Sequence, residues 1–227
     1  MAQPMIFEQA AAPPFMKNGF VLGCPATKEG VIIDPGDEVE DLIASARRHG
    51  LRIVSILLTH AHLDHVTGVA AAKRAFDAPV YLHRSDQFLY DAAPQQGAMF
   101  GLRVEQPPPI DRHYIDGASL AFGSLSVDVL HTPGHCPGGV CLAVGSASPA
   151  VTTTSGQDRE LFVGDTLFAG SIGRTDLPGG DYQTLMRSIR EVLFRFPDPT
   201  PVFSGHGPAT TIGEEKKSNP FLIDARA

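Results

Sequence analysis

The stretch Thr59-His60-Ala61-His62-Leu63-Asp64-His65 decides the reading of this chain. Three imidazoles and one carboxylate follow directly on the apolar run from Ile53 to Leu58, which has the length and β-branched content of a buried strand. Side chains of an extended segment alternate, so His60 and His62 point to one side. If the chain then turns into a helix, Asp64 and His65 swing beside that pair, and one segment supplies ligands to two adjacent cations. Neutral imidazole and carboxylate suit Zn, Fe or Mn, and the lack of thiolates argues against a structural cysteine-type zinc site. The competing explanation, a polar loop or pH-sensitive histidine cluster, must crowd three protonatable rings together with no cation to hold them.

Three further segments place a polar residue at the end of an apolar strand. They are His135 after Leu130, Asp165 after Leu161-Phe162-Val163-Gly164, and His206 in Ser204-Gly205-His206-Gly207 after Val202-Phe203. Glycines beside each permit close backbone approach. Singly these are ordinary turn residues; added to the first cluster they complete a two-metal set, with Asp165 suited to bridge two cations.

Outward from these motifs, Phe20-Val21-Leu22 and Val31-Ile32-Ile33 read as strands, the second stopped by the turn signal Asp34-Pro35-Gly36. Val39, Leu42, Ile43 and Ala46 are spaced as a helix that Gly50 would cap. A helix over Gly68–Phe76 and a strand at Val80–Leu82 follow, and then Asp91–Asp111, rich in proline, reads as a long loop. Strands are expected from Leu120 to Leu130 around Gly123-Ser124, at Val140–Val144, Leu161–Val163 and Val202-Phe203, with a polar tip over Ser146–Asp158. Tyr182–Phe194 is an amphipathic helix, and the tail from Ile212 is helix-compatible. Strands mixed with helices at both ends point to stacked sheets covered by helices.

Composition narrows the class. The 227 residues, 43% hydrophobic and 19% charged, are ordinary for a globular chain. The net charge of −7 argues against nucleic acid and anionic membrane as partners. No run approaches the roughly 18 apolar residues of a membrane span, and Met1–Ala12 lacks the pattern of a signal peptide. Three cysteines, Cys24, Cys136 and Cys141, make neither an even set nor a CxxC pair, which fits a reducing cytoplasm.

With these residues in place the chain resembles the metallo-β-lactamase superfamily. His60-Ala61-His62-Leu63-Asp64-His65, His131-Thr132-Pro133-Gly134-His135, Gly164-Asp165 and Gly205-His206 match its signature in order and spacing, over Asn18 to Phe221. The resemblance implies an α+β fold, a four-layer αββα sandwich, with residues 1–227 as a single domain. It puts His60, His62, His135 and Asp165 on a first metal and Asp64, His65, Asp165 and His206 on a second. Two divalent ions per chain are implied, zinc foremost, with iron or manganese otherwise.

Within the superfamily the chain is similar to glyoxalase II-type thioester hydrolases, the short bacterial branch without the C-terminal helical domain. Gly164-Asp165-Thr166-Leu167-Phe168, Gly173-Arg174-Thr175-Asp176, Gly205–Thr211, Glu215 and Asn219-Pro220-Phe221 carry that likeness. It implies a hydroxyacylglutathione hydrolase-like thioesterase in which a metal-bridging hydroxide attacks the carbonyl. Zinc-bound water titrates near ~7, so the nucleophile exists at neutral pH, and Asp64 orients it or takes its proton. The substrate is a small-molecule thioester, with a glutathione derivative as the candidate, and the protein is a monomer or homodimer. Arg174 stands where these enzymes usually carry Lys on the glycine carboxylate of glutathione, and can grip a carboxylate bidentately. It can equally pair with Asp176 or Asp181.

An iron-dependent persulfide dioxygenase of the same fold is the alternative, using His60, His135 and Asp165 as a facial triad. Those enzymes carry Cys two residues before the Arg, where this chain has Ile172, which favours hydrolysis. A diiron flavoprotein would place Glu where His62 stands, and the charge disfavours a tRNA-processing nuclease. The alternative of another class is a non-catalytic metal-binding module. The other histidines take plain roles: His49 at a helix C-terminus, His83 and His113 at the surface, His131 supporting the His135 loop. Cys136 is a small buried residue beside His135, Cys24 and Cys141 are core, and Met99 and Phe100 line an acyl pocket or anchor their loop.

Overall fold

A computed structural model describes residues 5–147 and 159–223. The chain divides into two compact units, Met1–Ile115 with Phe122–Ser124, and Asp116–Ala121 with Leu125–Ala227.

In the first unit, β1 (Ile6–Ala12), β2 (Lys17–Gly23), β3 (Glu29–Ile33), β4 (Arg52–Leu57), β5 (Val80–Leu82) and β6 (Arg112–His113) lie in that order in one sheet. β1 to β3 run antiparallel through short turns, and β3 to β6 run parallel. Parallel neighbours need crossovers. α1 (Val39–Arg48) supplies the first, and α2 (Leu63–Val66) with α3 (Val69–Phe76) the second. α1 buries Val39, Leu42, Ile43 and Ala46, the stripe read from the sequence, and Gly50 follows it at φ +64°. Leu22, Ile32, Ile33, Leu42, Ile56, Leu57 and Leu82 are fully buried; each contributes about 1.5–3 kcal/mol on transfer from water.

Two expectations change here. Ile6–Ala12, read only as an unremarkable N-terminus, pairs with β2 as an edge strand. The expected loop over Asp91–Asp111 begins with α4 (Gln87–Asp91) ending and α5 (Ala93–Met99) starting. Pro94 sits in the first turn of α5, where its missing N–H leaves no helical hydrogen bond unmade.

In the second unit, β7 (Ser119–Phe122), β8 (Leu125–His131), β9 (Val140–Ser146) and β10 (Arg159–Gly164) are joined side by side as antiparallel neighbours where register is defined. After the small hairpin of β11 (Leu167–Phe168) and β12 (Ser171–Ile172) comes α6 (Tyr182–Glu191), which crosses to β13 (Pro201–Ser204), parallel to β10. β14 (Thr210–Thr211), α7 (Ile212–Ser218) and α8 (Pro220–Ile223) complete it. Asp181 caps α6 by accepting the Thr184 N–H at 2.7 Å. Leu185, Met186 and Ile189 of α6 pack into one core cluster with Leu161, Val163, Val202 and Ile212.

Both units pair a sheet with helices, the α+β class expected. The polar tip expected over Ser146–Asp158 falls, from residue 148 onward, outside the described residues. Among the described residues no helix is long and apolar enough to cross a membrane, and no disulfide links Cys24, Cys136 and Cys141, all three buried.

Candidate metal centre

In the first unit the chain bends at Thr59 after β4, is extended at His62 (φ −68°, ψ 154°) and then turns into α2. The turn follows the sequence reading, and His60 and His62 lie side by side although the segment is not a continuous strand. The rings of His60 and His62 have centroids 4.9 Å apart and those of His60 and His65 4.0 Å apart. His65 Nε2 and Asp64 Oδ2 are 3.7 Å apart. All three histidines are buried.

What orients them lies beyond the motif. Asp34, at the end of β3, is buried and accepts three hydrogen bonds through its carboxylate. These come from the Thr59 N–H at 2.7 Å, the Thr59 hydroxyl at 2.6 Å and His65 Nδ1 at 2.9 Å. A carboxylate accepts only, so His65 donates through Nδ1 and carries its lone pair on Nε2. Thr59 Oγ1 in turn lies 3.1 Å from His60 Nδ1. Asp86, also buried, accepts the Ala61 N–H at 3.2 Å. The sequence reading takes Asp34 only as a turn residue. Its place, a carboxylate ending a buried strand, is the same signal that singles out Asp165.

In the second unit His135 follows β8, Asp165 follows β10 and His206 follows β13. His135 donates through Nδ1 to the Arg174 carbonyl at 2.8 Å, which again leaves Nε2 with the lone pair. His135 Nε2 is 3.7 Å and His206 Nε2 3.6 Å from Asp165 Oδ2. These separations are too long for hydrogen bonds. They approach the ~3.4 Å between two donors on one tetrahedral ion with bonds near 2.1 Å. Two glycines make the arrangement possible. A Cβ on Gly134 (φ +132°) would lie 2.2 Å from the Leu185 nitrogen of α6, and one on Gly173 would lie 1.9 Å from the Asp165 carbonyl oxygen. His131 donates through Nε2 to the Pro137 carbonyl at 3.0 Å, bracing the loop that carries His135 as expected.

In each unit the donors are imidazole and carboxylate. The Nδ1 atoms of His65 and His135 are engaged by fixed acceptors, which is how metal-binding histidines are oriented. The residues present fit divalent zinc, iron or manganese.

Arg174 is exposed and grips Asp176 bidentately, Nε to Oδ1 at 2.8 Å and Nη2 to Oδ2 at 2.7 Å. The guanidinium holds the Asp176 carboxyl down at about 2. Of the two carboxylates open to it as ion-pair partners in the sequence, Asp176 and Asp181, Arg174 holds Asp176. Met99 and Phe100 are exposed, with the Phe100 ring 6.0 Å from that of Phe15.

Histidine and aspartate donors of this kind are compatible with a metal-dependent enzyme. The chain belongs to the metallo-beta-lactamase superfamily, whose family model matches residues 12–206. It is 39% identical to the hydroxyacylglutathione hydrolase GloC of Haemophilus influenzae, over 86% of this chain and 88% of that protein. Among solved structures it is 40% identical to the BLEG-1 B3 metallo-beta-lactamase (TM-score 0.82, 96% of this chain, 99% of that one). It is also 40% identical to TTHA1623 in a di-iron-bound form (TM-score 0.80, 95% and 100%). The expected family and fold class agree with these likenesses.

Proposed function

We propose that this chain is a binuclear metallohydrolase that cleaves small-molecule thioesters of the hydroxyacylglutathione kind. In this reading His60, His62, His135 and Asp165 hold one divalent cation, and Asp64, His65, Asp165 and His206 the other. The carrying observation is the fixed Nδ1 hydrogen bonding of His65 and His135, together with the likeness to GloC. When bound, the metals supply a hydroxide near neutral pH and a Lewis acid for the carbonyl oxygen. Asp64 orients the attacking water and takes its proton. The departing thiolate is stable enough to leave without a protein acid, so no further titratable residue is needed. Arg174 is the candidate contact for a substrate carboxylate, which would have to displace Asp176.

The likeness to BLEG-1 favours one second reading, opening of a cyclic amide by the same ligand set. Assaying a hydroxyacylglutathione and a chromogenic cephalosporin side by side on zinc-loaded and iron-loaded protein tests both. Thioester hydrolysis in the absence of cephalosporin turnover supports the first reading, and the reverse result overturns it.

A further inference from the structure

The first unit contains an ion pair that neither packing nor the ligand motif calls for. Lys17, opening β2, and Glu38, ahead of α1, are each 1% exposed, and Lys17 Nζ lies 2.5 Å from Glu38 Oε1. Removing two charges from water costs several kcal/mol per ion, and hydrophobic residues of similar volume often do as well or better for stability. One oxygen, Glu38 Oε2, is buried with no hydrogen-bond partner among the described residues, so the pair is not even fully satisfied. Stability is a poor account of it.

Its neighbours suggest another. Lys17 Nζ also donates to the backbone carbonyl of Asp34, and Glu38 Oε1 accepts the Gly36 N–H at 3.0 Å. The pair thus grips both ends of the Asp34-Pro35-Gly36 turn. Asp34 sits at φ +48°, a left-handed conformation that costs a non-glycine residue energy. The far side of the turn is pressed against α2. A Cβ on Gly36 would lie 2.2 Å from the Asp64 carbonyl oxygen and 2.7 Å from Lys17 Cε, and the Gly68 N–H donates to the Pro35 carbonyl at 3.0 Å. From that clamped turn the Asp34 carboxylate reaches His65 directly and His60 through Thr59.

We propose that the buried Lys17–Glu38 pair is a positioning device that holds the Asp34 turn in its left-handed conformation and so aims His60 and His65 at the metal. This inference rests on the metal role of those histidines proposed above. Lys17 and Glu38 touch no substrate and move no proton.

Replacing both partners with apolar residues separates positioning from packing. Lys17→Met combined with Glu38→Leu keeps volume and removes both charges along with the grip on the turn. Urea unfolding of the metal-free protein and competition for Zn²⁺ against a chromophoric chelator are measured on parent and double variant. The expected result is Zn²⁺ affinity down about 10–100-fold, the loss typical of removing an orienting partner, with the unfolding midpoint lowered only as far as the Asp34 carbonyl and the Gly36 N–H, each losing a buried partner, require. Parental Zn²⁺ affinity in the double variant overturns the proposal, as does a loss of affinity that only tracks a loss of stability. If the double variant does not fold, Glu38→Gln replaces it, keeping shape while taking the counter-charge from Lys17, and is judged by the same two outcomes. A parent protein that binds no Zn²⁺ overturns the underlying metal reading instead, so the two failures are distinguishable.

Discussion

Asp34→Asn is the substitution whose consequence follows most directly from the geometry. The side chain keeps its shape, and Oδ1 still accepts the Thr59 N–H now made at 2.7 Å. At the other position an NH₂ replaces an oxygen that takes the Thr59 hydroxyl at 2.6 Å and His65 Nδ1 at 2.9 Å. The hydroxyl rotates and accepts, which is nearly neutral. The imidazole cannot rotate its proton away; donor faces donor unless His65 shifts to the other tautomer, with the proton on Nε2. One charge-assisted hydrogen bond is lost, about 2 kcal/mol. The tautomer shift also takes the lone pair from the nitrogen that would meet a metal, so Zn²⁺ affinity drops by about 10–100-fold. Urea denaturation of metal-free protein reads the first effect and chelator competition the second. A variant as stable as the parent that binds Zn²⁺ equally well would refute the orienting role of Asp34.

Three other outcomes are expected. Gly134→Ala places a methyl where φ is +132° and Leu185 nitrogen is 2.2 Å away, so stability falls by about 3 kcal/mol; an unchanged urea midpoint contradicts the close packing of this loop on α6. Burial raises the Glu160 carboxyl above its ordinary range, so the folded protein binds that proton more tightly than the unfolded one. The resulting stability is present at low pH and lost as pH rises through the raised folded value. Glu160→Gln therefore flattens that part of the pH–stability curve and stabilises the protein at neutral pH, and parallel curves for the two proteins would disprove the burial effect. Arg174→Ala raises KM for a carboxylate-bearing thioester and leaves kcat unchanged, whereas Asp176→Ala lowers KM by releasing the guanidinium; steady-state kinetics showing no KM change in either variant would remove Arg174 from substrate recognition.

The ligand-type residues were legible because their signals are local. The histidine spacing along 59–62, a helical turn at Leu63 and glycine-flanked strand ends can each be read within a few residues. The groups that orient them were not. Asp34 meets His65 across 31 positions and Lys17 meets Glu38 across 21, and a lone lysine or glutamate in sequence looks like a solvated surface residue. Proline density in 94–109 masked α5, since proline signals a loop unless it falls in a helix's first turn. β1 escaped because an edge strand half-buried on one side carries only a weak apolar pattern. For Arg174 the sequence left a substrate carboxylate, Asp176 and Asp181 all open; the Asp176 pair forms because two residues of opposite charge two apart can close a bidentate contact without help from the fold.

The central claim is tested most directly by metal analysis of the purified protein combined with hydrolysis of a hydroxyacylglutathione thioester. The account predicts two divalent ions per chain, activity abolished by chelation and restored by Zn²⁺, and loss of both metal and turnover in Asp165→Ala. Undiminished turnover in metal-free protein, or a single iron with oxygen consumed on glutathione persulfide and no thioester cleavage, would contradict it.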